Sequence, residues 1–124
     1  MDAKRPELAS KLLEARLEEK DVDGLEGLYE TGAIFVDYEG SARGWRDIRA
    51  AHQGFLDEGF SLFLNDSVVF QADDIALVHW SWTVTRPDGT TTDGTSAEVL
   101  RRQTNGTWKF VIDNSDGSAL VGIL

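Results

Sequence analysis

The chain has 124 residues, 41% of them hydrophobic and 27% charged, and carries 22 acidic against 12 basic side chains for a net charge of −10. That length suits one domain, 1–124, with a core of its own. The acidity argues against a nucleic-acid partner, whose phosphates it would repel, and the lack of any cysteine excludes disulfides, thiolate metal sites and cysteine nucleophiles.

The chain opens on Met1-Asp2-Ala3-Lys4-Arg5-Pro6-Glu7, which has no apolar leader, and its apolar runs are too short to span a bilayer. A cytoplasmic protein without a membrane partner is the expectation. Pro6 to Lys20 reads as a first helix, with Leu8, Leu12, Leu13 and Leu17 in one stripe opposite Lys11, Glu14 and Glu18. Asp21 caps a second short helix carrying Val22, Leu25, Leu28 and Tyr29, and Thr31-Gly32 stops it. Ala33 to Tyr38 is a strand, Glu39 to Arg43 a loop, and Gly44 to Glu58 a third helix with Trp45, Ile48, His52 and Phe55 at helical spacing.

Four strands complete the chain: Phe60 to Gln71, Ile75 to Arg86, Thr92 to Gln103 and Thr107 to Ser115. They are joined by Asp73-Asp74, Pro87-Asp88-Gly89 and Asn105-Gly106, which are turn-forming sequences. Turns this tight predict an antiparallel meander. Helices segregated from strands predict an α+β domain, in which three N-terminal helices pack on a curved, mostly antiparallel sheet and leave a pocket beneath them. The tail Gly117 to Leu124 receives no assignment.

Two stretches carry a family resemblance. Asp21-Val22-Asp23-Gly24-Leu25, Leu28-Tyr29, Ala33 to Asp37, Gly40 and Gly44 resemble the opening of the nuclear transport factor 2-like superfamily. Glu98 to Gln103, Gly106-Thr107-Trp108 and Val111 to Asn114 resemble its SnoaL-like branch. The resemblance implies a cone-shaped, cystatin-like domain and a homodimer formed through the outer sheet face. The fold hosts isomerases, cyclases, dehydratases and non-catalytic assembly modules alike.

Three residues are candidates for acid–base chemistry. Asp37 ends the first strand, a position similar to that of the base in ketosteroid isomerases of the same superfamily, and Glu98 resembles their second acid. Leu13 stands where those enzymes would carry a tyrosine and cannot donate a hydrogen bond, so steroid isomerisation is not expected. Asp37 has a structural alternative, a carboxylate bonded to the following loop or to Arg43. His52 is either an acid or base at the pocket rim or a packed core histidine. Tyr29, Phe35, Trp45, Phe55, His79 and Asn114 are the expected ligand contacts, although the aromatic residues equally suit plain core packing. The resemblance implies that Asp113 and Asn114 together approach the pocket mouth, with a strand-end turn through Ser115-Asp116-Gly117 as the structural alternative.

With two histidines, no cysteine and no His-x-x-x-His spacing, no metal is expected. No phosphate loop or dinucleotide fingerprint is present, so no cofactor is expected. Val78, Trp80, Trp82 and Val84 share one strand face, and if that face is the outer one it forms an apolar patch suited to a dimer interface. The function expected is binding of a small, largely apolar molecule with cofactor-free acid–base catalysis of the isomerase, cyclase or dehydratase type. The alternative is a non-catalytic ligand-binding or dimeric assembly module.

Overall fold

A computed structural model describes residues 2–116, and the tail Gly117 to Leu124 lies outside the described residues. Helix α1, Pro6–Glu18, begins on proline and buries Ala9, Leu12, Leu13 and Leu17, a stripe set by the 3.6-residue turn. Lys20 reverses the chain with a φ of 60°. The Asp21 carboxylate then accepts the Gly24 N–H at 3.0 Å. The segment Asp23–Leu28 is a 3₁₀ helix rather than an α-helix, as suits a stretch weakened by two glycines.

Tyr29, expected on that helix, instead opens strand β1, Tyr29–Asp37. Strand β2, Gly40–Arg43, replaces the expected loop and pairs antiparallel with β1. Its Gly-Ser-Ala-Arg sequence has no β-branched or aromatic residue, so pairing rather than propensity makes it a strand. Helix α2, Trp45–Asp57, buries Ile48 and His52. Strands β3 (Ser61–Ala72), β4 (Ile75–Thr85), β5 (Thr91–Arg102) and β6 (Trp108–Asn114) begin and end within one residue of the sequence reading.

The six strands form one sheet in the order β2-β1-β6-β5-β4-β3. Every neighbouring pair is antiparallel except β1 and β6, which run parallel. Register slips between Leu64 and Ser67 in β3, and at Val111 in β6. Such bulges bend a strand and curl the sheet. Glu14 of α1 reaches the first of them, where its Oε2 accepts the Leu64 N–H at 2.6 Å.

The helices cover the concave face of the sheet. Leu25, Ile48, Val78, Leu100, Trp108 and Phe110 are the largest fully buried side chains there, each worth about 1.5–3 kcal/mol for its removal from water. The face carrying Val78, Trp80, Trp82 and Val84 is this inner one: Val78 and Trp80 are buried, and Trp82 and Val84 line the cavity. These tryptophans therefore form no outer patch. On the convex face, Phe70, Leu77, Val99, Ile112 and Ile34 stand in one row across five strands. No helix among the described residues is long and apolar enough to cross a membrane.

Candidate active site

A cavity of about 740 Å³ lies between α1, α2 and the concave sheet, within the size range of small-molecule sites. Its wall is largely apolar, with Leu13, Leu17, Phe35, Phe55, Leu62 and Trp82 among its members. Four polar side chains meet at its buried end. His52 projects from α2, Glu98 from β5 and Asp113 from β6, and all three line the cavity. Tyr29, from β1, stands behind them.

The Tyr29 hydroxyl donates to Asp113 Oδ2 at 2.6 Å and lies 2.9 Å from His52 Nε2. A phenol has one proton, and here Asp113 receives it, so His52 Nε2–H is the donor to the tyrosine oxygen. The chain of hydrogen bonds thus runs from His52 through Tyr29 to Asp113. Burial lowers the His52 pKa to about 4, which keeps the ring neutral. Burial, and then the charge of Asp113, hold the Tyr29 phenol well above its ordinary value, so it stays a donor.

Glu98 and Asp113 are direct cross-strand partners, and both are 4% exposed. Burial raises both carboxyl pKa values, and Glu98, which also feels the charge of Asp113, rises further. Asp113 is held back by the hydrogen bond from Tyr29. Ser96 Oγ donates to the Glu98 carboxyl at 3.0 Å. Ser10 is buried beside Glu98 as well, yet its hydroxyl is engaged by no hydrogen bond of good geometry. The buried end therefore holds one carboxylate, one neutral carboxylic acid and a spare hydroxyl.

The other sequence candidates fall in different places. Asp37 lines the cavity from the β1–β2 turn, where its Oδ1 accepts the Glu39 N–H at 2.8 Å. Phe35 and Phe55 are wall residues. Tyr29 acts behind the wall, and Trp45, 6.3 Å from the Tyr29 ring between centroids, packs there too. His79 is on the convex face, with Nδ1 3.3 Å from the Ser96 carbonyl oxygen. Asn114 also lies on that face, in register with Ala97 and Val36.

The exchange between Asn114 and Asp113 has a definite cause. Trp108 and Phe110 face inward, and simple alternation would continue inward through Ile112 and Asn114. The bulge at Val111 shifts the phase by one, which turns Ile112 out to 39% exposure and Asp113 in to 4%. The family resemblance brought Asp113 and Asn114 together to the pocket mouth, and of the two only Asp113 lines the cavity. Among the described residues, no His, Asp and Glu side chains are grouped in a way that would hold a metal ion.

Residues 9–111 match the family model of the SnoaL-like domain. No curated protein matches the chain by sequence. Its fold is similar to that of a cystatin-like protein of unknown function from Nostoc punctiforme, with a TM-score of 0.77 and 17% identity over 87% of this chain and 84% of that one. It is similar to a candidate dehydratase of the NTF2-like family from Streptomyces avermitilis, with a TM-score of 0.71 and 18% identity over 86% and 89% of the two chains. It also resembles a candidate ketosteroid isomerase from Shewanella frigidimarina, with a TM-score of 0.70 and 14% identity over 86% and 89%. At these identities the likeness establishes the fold alone.

Proposed function

The chain belongs to the SnoaL-like domain family of the nuclear transport factor 2-like superfamily, and from that membership we propose that it is a cofactor-free acid–base enzyme acting on a small, neutral, largely apolar carbonyl compound. The observation that carries this reading is the cross-strand pair Glu98 and Asp113, both buried and both facing the cavity. Two titratable groups whose environments push their pKa values apart are the usual division between an acid and a base.

Asp113 is the base. Its carboxylate takes a proton from the carbon next to the substrate carbonyl while the Glu98 carboxylic acid donates to the carbonyl oxygen, which gives an enol. Where the substrate carries a β,γ double bond the enol is a dienol, and return of the Asp113 proton to its far carbon, with return of the Glu98 proton from the enol oxygen, gives the conjugated isomer. Expulsion of a β-hydroxyl, which takes up the Asp113 proton and leaves as water while the enol oxygen returns its proton to Glu98, gives a dehydrated product. Tyr29 is a positioning residue that fixes the Asp113 carboxylate, and neutral His52 fixes Tyr29. Ser10 supplies a second donor near Glu98. Asp37, at the mouth, meets the ligand on entry.

The wall chemistry supports a neutral substrate. Asp37, Glu39, Glu58, Asp93 and Asp116 line the outer cavity against Arg86 as its base, and an anion would meet a repulsive field there. The test is hydrogen–deuterium exchange at the α-carbon of 2-tetralone in D₂O, followed by proton NMR. Exchange above the buffer rate, lost by about a hundredfold in Asp113→Asn, supports the reading. Exchange no faster than buffer, with the ketone demonstrably bound, overturns it in favour of a non-catalytic binding module.

A further inference from the structure

We propose that Trp82 and Gly94 together form a flat aromatic platform in the outer half of the cavity, one that selects planar ring systems, and that the absence of a side chain at position 94 sets the size of ligand admitted. The proposal rests on the pocket reading above and deepens it. The inner face of β5 grades from buried Glu98 and Ser96 through half-buried Gly94 to exposed Thr92, all of them cavity residues. Gly94 pairs directly with Trp82 of β4, and both line the cavity.

The space over Gly94 is filled by the indole. A Cβ at position 94 would lie 2.3 Å from Trp82 Cζ2, 2.5 Å from Cη2 and 2.8 Å from Cε2, well inside carbon–carbon contact distance. The ring is also tethered, because Nε1 donates to the Ser115 carbonyl at 2.9 Å. The indole therefore crosses from β4 over the bare backbone of β5 to the end of β6. A glycine inside a strand commonly marks such a close approach. The ring borders the cavity, where an indole offers offset stacking to a planar ligand, a preference that a saturated ring of equal size lacks. Any side chain at position 94 would lift the indole into the cavity and break its bond to Ser115.

The experiment compares wild type, Gly94→Ala, Trp82→Phe and the double variant, with planar 2-naphthol and saturated decalin as probes. Tryptophan fluorescence and melting temperature are the readouts. Gly94→Ala is expected to lower the melting temperature by about 5 °C or more and to weaken 2-naphthol binding by about tenfold. In the Trp82→Phe background, where the clashing ring is smaller, the same substitution should change both quantities much less. Wild type should favour 2-naphthol over decalin, and Trp82→Phe should narrow that preference. Equal effects of Gly94→Ala in both backgrounds, or a preference unchanged by Trp82→Phe, would overturn the platform. If wild type binds neither probe while the coupling in melting temperature persists, the packing of Trp82 on Gly94 is real but the pocket reading falls, and the platform's selective role falls with it.

Discussion

Glu98 and Asp113 face each other across β5 and β6 with both carboxyls out of water. In a low-dielectric site, two such groups do not both ionise readily. The charge settles on Asp113, because the hydrogen bond from Tyr29 favours its ionised form and its charge in turn raises Glu98.

That asymmetry predicts a particular pH dependence of stability. Glu98 is raised from 4.5 to about 9 and Asp113 from 3.8 to about 6, while His52 is lowered from 6.5 to about 4. A raised carboxyl means the folded state holds the proton more tightly, so stability falls as pH rises between the unfolded and folded values. For His52 the unfolded state binds the extra proton, so stability rises between about pH 4 and 6.5 and offsets the loss from Asp113 there. From pH 6.5 to 9 only the Glu98 contribution remains. The melting temperature should therefore drop by roughly 5–10 °C over that window, and Glu98→Gln should flatten the curve. A curve equally steep in Glu98→Gln would show that Glu98 does not carry it.

Tyr29→Phe removes the donor to Asp113 and the partner of His52 at once. Loss of a buried hydrogen bond to a charged group predicts about 1–3 kcal/mol of destabilisation by chemical denaturation. Because the Tyr29 bond lowers the Asp113 pKa, the acidic limb of the activity profile should also move upward in pH. A stability loss with no shift of that limb would reduce Tyr29 to a packing residue.

Asp37→Asn separates the mouth carboxylate from the buried pair. Asn keeps a side-chain oxygen for the Glu39 N–H, so a stability change of less than about 1 kcal/mol is expected, with turnover within severalfold of wild type. Loss of turnover by about a hundredfold in Asp37→Asn but not in Asp113→Asn would move the base to Asp37.

The convex face predicts self-association. Phe70 is 60% exposed, Leu77 37% and Ile112 39%, and they share one row across the sheet. Contiguous exposed apolar side chains suit an interface, and a two-fold dimer is its simplest closed form. Light scattering should report a dimer for wild type and a monomer for Leu77→Asp. A wild-type monomer at micromolar concentration would count against the dimer.

Much of this molecule was legible in its sequence. The leucine stripe of α1, the hairpin glycines and the alternating runs of β3 to β6 placed five elements, because helix period, strand period and turn chemistry are local properties. Glu98 was singled out by the family resemblance, and His52 by its place on a helix stripe that left rim and core both open; with Phe35 they line the cavity. Tertiary structure decided the rest. β2 is a strand only because β1 pairs with it, and Tyr29 left its expected helix because it pairs with Phe110 of β6. Which face of β4 looks inward depends on where the helices sit. Asp113 entered the site because one extra residue, Val111, inverts the alternation of β6. A bulge is a misfit between two strands, so its position is a property of the pair and is written in neither strand alone.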